Sequence, residues 1–227
     1  MPSESLQRPR LLKGALAVYS PADSRESPRL IPFQYNPEQV RRTLAQRASP
    51  PETGRRAPAR EDVFRLSGPP VETINLSIVL DATDQLEHPD QNRTAREHGL
   101  QPSLALFELL LYPPLRQQQR QRSQARNGQA QVTSARLPLV LLVWGRNRVA
   151  PVQITSFSVT EEAFDLDLNP IAAKVELGLR VLTTSDLPAG HLGAEAFESY
   201  QRNKEQLVEN QGRGQDDSRQ RDLLPRH

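Results

Sequence analysis

LPLVLLVWG at 137–145, VAPVQITSFSVTEEAF at 149–164 and AKVELGLRVL at 173–182 are the densest apolar stretches of the chain, and they decide its fold class. The first is apolar on both faces, as a central strand covered on each side must be. In the second, the inward set moves from Val152 and Ile154 to Phe157 and Val159, and this change of parity predicts a bulge. The third sets Val175, Leu177, Leu179 and Val181 opposite Lys174, Glu176, Gly178 and Arg180, the period of two of a strand with one buried face.

Working outward, ETINLSIVLDATD at 72–84 alternates Ile74, Leu76, Ile78 and Leu80 with Asn75, Ser77, Val79 and Asp81, a further strand that ends in an aspartate-bearing turn. LLKGALAVY at 11–19 places Leu12, Gly14, Leu16 and Val18 on one side, and RLIPFQYNP at 29–37 places Ile31, Phe33 and Tyr35 on one face before Asn36-Pro37 breaks the run. The two predict a hairpin, and Arg41 to Leu44 extend as a strand. Pro102 suits a first helical position, and Leu104, Phe107, Leu110 and Leu111 form a helical stripe that Pro113-Pro114 stops. Past Pro188, Leu192, Ala196, Tyr200 and Leu207 recur at helical spacing and predict a terminal helix to about Glu209.

The domain organisation follows: an N-terminal extension at 1–10, a β domain at 11–187, and a C-terminal helix with a polar tail at 188–227. Polar loops interrupt the domain at 48–60 and 116–136. The second of these holds five arginines, seven glutamines and no acid, and reads as a solvated insert.

With Lys+Arg 29 against Asp+Glu 27 among 227 residues, the overall charge points to no particular partner, and a hydrophobic fraction of 36% with 20 prolines allows one core with material left outside it. The absence of cysteine excludes disulfide scaffolds, thiolate metal sites and cysteine nucleophiles. Met1 to Arg10 lacks a signal-peptide apolar region, and the apolar runs are too short to cross a bilayer, so synthesis and folding in the cytoplasm without membrane insertion is the expectation. His88, His98, His191 and His227 lack metal-site spacing, and no nucleophile elbow or phosphate-binding glycine loop occurs, so no catalytic residue, metal or cofactor is expected. Asp81 and Asp84 admit an acid–base reading, but aspartates at strand ends ordinarily hydrogen-bond nearby backbone N–H groups.

Two stretches together resemble a known family. Phe33-Gln34-Tyr35-Asn36-Pro37, after KGALAVYSP, is similar to the FxYNP signature that opens the tube-like domain of contractile injection system proteins. LVLLVWG followed by VAPVQITSFSVTEEAFDLDLNPIAAKVELGLRVL resembles that family's order of motifs: an apolar strand ending in Trp-Gly, a strand ending near Thr-Glu, then Phe and Leu-Asn-Pro, then an Ala-Lys-Val strand. The ETINLSIVLDATD strand between them matches as well, so the resemblance covers most of residues 11 to 187.

The resemblance implies a mainly β (α+β) tail-tube-like fold of two packed antiparallel sheets with a flanking helix. It implies a baseplate tube initiator of a phage-tail-like particle, a homo-hexameric ring in which neighbouring sheets join into one β-barrel around a channel. Its partners would be the hub-spike protein, the inner tube protein and other baseplate components, with release of the particle from the cell one possible fate. Structural or interface roles fall to Phe33, Tyr35, Asn36, Pro37, Asp81, Asp84, Trp144, Phe164, Asn169 and Pro170. Many relatives carry a LysM module after this domain; the polar residues after Pro188 do not match one, so peptidoglycan binding is not carried over. The arginine/glutamine insert matches no family motif and supports the alternative of a nucleic-acid-binding accessory protein, against which stands its lack of aromatic residues for base stacking.

Overall fold

A computed structural model describes residues 12–20, 27–47, 68–115, 118–119, 123 and 137–212. The N-terminal extension at 1–10, the loop at 48–60, all but three residues of the insert at 116–136, and the tail from 213 lie outside the described residues. The strands are β1 (Ala15–Tyr19), β2 (Arg29–Pro32), β3 (Val40–Ala45), β4 (Val71–Asp81), β5 (Leu139–Val143), β6 (Val149–Phe164) and β7 (Pro170–Val181). Among the described residues four helices with defined bounds accompany them: α1 (Thr83–Leu86), α2 (Arg93–His98), α3 (Gln101–Glu108) and α4 (Leu192–Gly212). The chain is therefore mainly β, as its periodicities predict.

The seven strands form one antiparallel sheet in the order β2-β1-β5-β6-β7-β4-β3. Two corrections follow. The strands make a single hydrogen-bonded sheet where the resemblance implies two, and within the one chain that sheet is open, with β2 and β3 as its terminal strands, so the chain by itself is not a barrel. The physical reason lies in β6, which belongs to both halves. Val149 to Val152 pair with β5, while Val152 to Phe164 pair with β7. Leu16, Ile31, Phe33 and Leu142 from one half share a single core with Ile74, Ile78, Val175 and Leu177 from the other, so the sheet curls until its inner face closes on itself.

The register of β6 shifts between Ile154 and Ser156, leaving Thr155 as the extra residue. Ile154 faces Leu179 and Phe157 faces Leu177, so the apolar set stays inward across the predicted bulge. β5 lies between β1 and β6 with Val140, Leu141 and Leu142 all buried, as its two-sided apolar pattern requires. α3 buries Leu104 and Phe107. Two elements depart from expectation. α1 and α2 occupy a stretch that reads as a polar bridge, because their residues are almost all solvent-facing and only Ala95 is buried. α4 turns Ala194, Phe197 and Tyr200 to the core, and Leu207 is half exposed. Tyr200 keeps its expected inward place, while Ala194 and Phe197 are buried in preference to the half-buried Leu192 and Ala196.

Gly14 marks a tight junction in the core between β1, β2 and β5. A Cβ there would lie 2.7 Å from the Trp144 ring and 2.9 Å from Phe33. Gly14→Ala is expected to destabilise the fold by about 2 kcal/mol, the usual scale for overpacking a filled core. Denaturant unfolding followed by fluorescence of the single tryptophan measures this directly; an unchanged midpoint would mean that the ring moves aside freely.

Candidate assembly interface

The Phe33-to-Pro37 motif fastens the end of β2 on two sides, to β4 and to the entry of β1, through side-chain amides that imitate backbone. Phe33 is fully buried, tilted against Trp144 with ring centroids 6.3 Å apart, and its N–H donates to the Gly14 carbonyl at 2.8 Å. The Gln34 amide donates to the Asp81 carbonyl at 2.6 Å and accepts from the Asp81 N–H at 2.9 Å, which ties the exit of β2 to the end of β4. The Asn36 amide repeats the device on the other flank, accepting from the Gly14 N–H at 2.8 Å and donating to the Leu12 carbonyl at 3.0 Å. Each satisfies backbone groups that a strand end would leave open. Pro37 follows, half-buried, and Tyr35 between the two amides is exposed.

Asp81 also accepts the Thr83 N–H at 2.7 Å, and the hydrogen bonds from Thr83 hold its carboxyl below the usual aspartate range. This is the strand-end role. Asp84 is solvent-exposed in the first turn of α1, and among the described residues no group of three or more histidines, aspartates and glutamates is placed to hold a metal ion.

At the far end of β6 and β7 the turn Asp165–Asn169 is sealed by one carboxylate. Asp165 accepts the N–H groups of Asp167 at 2.9 Å and Asn169 at 2.8 Å, and its other oxygen accepts the Asn169 amide at 2.9 Å. Those bonds, the Asn169 side chain first, hold the Asp165 carboxyl below its ordinary range. Asn169 also donates to the Glu97 carbonyl, and the Pro170 carbonyl accepts the Leu100 N–H at 2.8 Å, so the turn is braced against the end of α2. The tip is apolar nevertheless: Phe164 is 48% exposed, Leu166 is wholly exposed, and Leu168 is 77% exposed at a positive φ of 62°. A leucine in the left-handed region costs backbone energy that the surrounding turn must hold in place.

The C-terminal helix is locked by a buried carboxylate. Glu72 occupies an inward position of β4 and accepts from Arg42 Nε at 2.7 Å, the Tyr200 hydroxyl at 2.9 Å and Lys204 Nζ at 3.1 Å. Burial works to raise its pKa, but hydrogen bonds from Arg42, Lys204 and Tyr200 outweigh it and hold it below the ordinary glutamate value. The same burial, with the Glu72 charge, pushes the Tyr200 phenol up to about 12. A second knot gathers Arg47, Arg180 and Thr183 on Asp186, which burial alone would raise and these partners lower. Sequence reasoning missed both knots. The available signal was parity, since Glu72 shares the inward face of β4 with Ile74 and Leu76.

The opposite face of β3, β4, β7 and the outer half of β6 is polar and shallow. A trough of about 420 Å³ runs across it, lined by Arg41, Asn75, Ser77, Ser156, Ser158 and Glu176 among others. Gly178 lies in its floor, where a Cβ would collide with the Ser156 hydroxyl.

A family model described as "Contractile injection system tube protein" matches residues 10–188 of the 227-residue chain. The chain belongs to the contractile injection system tube protein family. No curated protein matches it. Membership fits a structural component of a phage-tail-like particle, and no described helix is long and apolar enough to cross a membrane. Of the residues expected to matter, Phe33, Asn36, Trp144, Asn169 and Pro170 make the intrachain contacts of the two amide clamps, the ring pair and the braced turn, while Tyr35 and Phe164 face solvent.

Both carboxylates have lowered pKa values, so their contribution to stability is complete above the unfolded values of 4.5 for Glu72 and 3.8 for Asp186 and is lost as pH falls through the lower folded values. Thermal stability is therefore expected to fall on acidification below about pH 4.5. Glu72→Gln should cost about 2 kcal/mol at neutral pH, less than a fully buried pair because Arg42 and Lys204 reach water, and should flatten the acid side of the profile. Melting curves across pH 3 to 7 check it; an unchanged acid limb would show that Glu72 does not set it.

Proposed function

We propose that the chain is a ring-forming tube initiator, joining the spike-bearing hub of a contractile particle to its inner tube and templating tube assembly without a chemical step. One observation carries this reading beyond family membership. The sheet is open, and the outer half of β6, the whole of β3 and the whole of β2 have one side that no described strand pairs. Unpaired edges are a liability in a monomer and a means of association in an assembly. Six copies joined through such edges enclose a channel, and the trough face is the face suited to it, since the exposed side chains on it, Arg41, Asn75, Ser156, Ser158 and Glu176, are polar.

The nucleic-acid alternative draws on the insert at 116–136, and nothing among the described residues favours it. On the initiator reading, the purified chain is expected to give six-copy species by native mass spectrometry and rings by negative-stain imaging. Cells lacking it should yield sheath and baseplate components without full-length tubes. A chain that stays monomeric at every concentration, in cells whose particles assemble normally without it, would overturn the proposal.

A further inference from the structure

The family match ends at residue 188 and α4 runs from Leu192 to Gly212, so the role of this helix does not follow from membership. It starts against β5, where Gly193 lies beside Leu139, and reaches β4 and β3 at Tyr200, whose hydroxyl meets both Glu72 and Arg42. The order of strands there is β5-β6-β7-β4-β3, so the helix heads toward the terminal strand.

Its inward face is a stripe at helical spacing: Phe197, Tyr200, Lys204, then Leu207 and Val208. Phe197 and Tyr200 are buried, and Lys204 Nζ reaches Glu72 at 3.1 Å. One turn further, Leu207 and Val208 are 50% and 69% exposed. The stripe keeps its apolar character past Lys204 while the sheet beneath it runs out. α4 continues to Gly212, about 12 Å beyond Lys204 and more than twice the ~5 Å between neighbouring strands, whereas β3 is the last strand. On β3, Leu44 stands directly opposite Glu72, on the same face of the sheet, and is 52% exposed. Leu44, Leu207 and Val208 therefore line one apolar corner at an unpaired sheet edge, and a helix end that touches nothing of its own chain is marginal in water.

We propose that this corner is a clamp for a second copy of the chain: the neighbour's sheet seats beside β3 with its core side beneath α4, and Leu207 and Val208 close over it. The clamp rests on the ring reading, which supplies the neighbour, and it adds a contact that joined sheet edges alone do not make. Charge agrees with this occupant. Arg42 and Lys204 share the single carboxylate of Glu72, so the corner is cationic, and Glu205 and Glu209 fall outside the stripe. Of the chain's own open edges, the outer half of β6 carries Glu161 and Glu162 and no lysine or arginine, whereas β3 carries Arg41 and Arg42 and no acid. Main-chain pairing gives affinity with little discrimination between sequences. A helix that must also be matched in shape and charge restricts the joint to copies of this chain.

The absence of native cysteine allows a single reporter. Val208→Cys carrying a benzophenone maleimide, irradiated in the assembled chain, is expected to give a product of twice the chain mass. Glu195→Cys, exposed on the opposite side of α4, is expected to give none. Leu207→Glu together with Val208→Glu, both exposed in the single chain, should leave the melting temperature unchanged and raise the concentration needed for assembly about tenfold, the scale of one lost interface anchor. A cross-link confined to its own chain, one formed only with a different protein in particles purified from cells, or assembly indifferent to the double substitution would overturn the clamp and leave the ring reading intact. Absence of any assembled species in the unsubstituted chain would remove both.

Discussion

The fold depends on one strand serving two halves of a sheet. β6 pairs through its first residues with β5 and through the rest with β7, and Val152 touches both partners. A flat strand of that length would carry the two halves into one extended plane with its apolar face in water. The extra residue at Thr155 prevents this, because a bulge sharpens the local twist while returning Phe157 and Val159 to the inner face. Every later feature follows from that curl: the single core, the position of α4 over Glu72, and the approach of β2 to the end of β4.

Curling creates a second problem, since it brings strand ends together without a strand between them. Gln34 and Asn36 solve it with primary amides, which offer a donor and an acceptor at about the spacing of a peptide group. The charged knots on Glu72 and Asp186 do the equivalent for the helix and the segment after β7. These polar fastenings add specificity where burial alone would tolerate slippage: an apolar surface accepts many registers, a bidentate amide one.

How much of this is legible in the sequence depends on whether a feature is local. Strand periodicity gives the face of each residue, and so the two-sided burial of β5, the bulge in β6 and the inward set of β4 are readable from residue types alone. Periodicity does not state which strand lies beside which, so the number of sheets is invisible until pairing is known. α1 and α2 escape notice because their helices bury almost nothing and lack an apolar stripe. Gln34 reads as polar filler between Phe33 and Tyr35; its partner Asp81 lies 47 residues away, and nothing near it announces the bond. Glu72 stands at an inward position of a strand, and a carboxylate there demands cations that sequence cannot locate. The tip leucines follow the same logic in reverse, since only the turn geometry shows Leu166 and Leu168 in water.

Exposed edges and exposed leucines would ordinarily count against a stable soluble chain. Here they sit on rigid supports, and that distinction carries the functional argument. The β6–β7 tip is sealed by a carboxylate and braced on α2, and β3 is pinned at Arg42 by the buried Glu72 and just past its end at Arg47 by the half-buried Asp186, so both edges are held in place by the chain itself. Edges left open by accident fray and bulge, and selection blunts them with proline or shortness, as at β2. Edges held in place, with charge of one sign on each, restrict what they can join. The same residues that discourage indiscriminate strand addition therefore favour an edge of opposite charge over one of like charge, and discrimination of that kind comes from repulsion as much as from attraction.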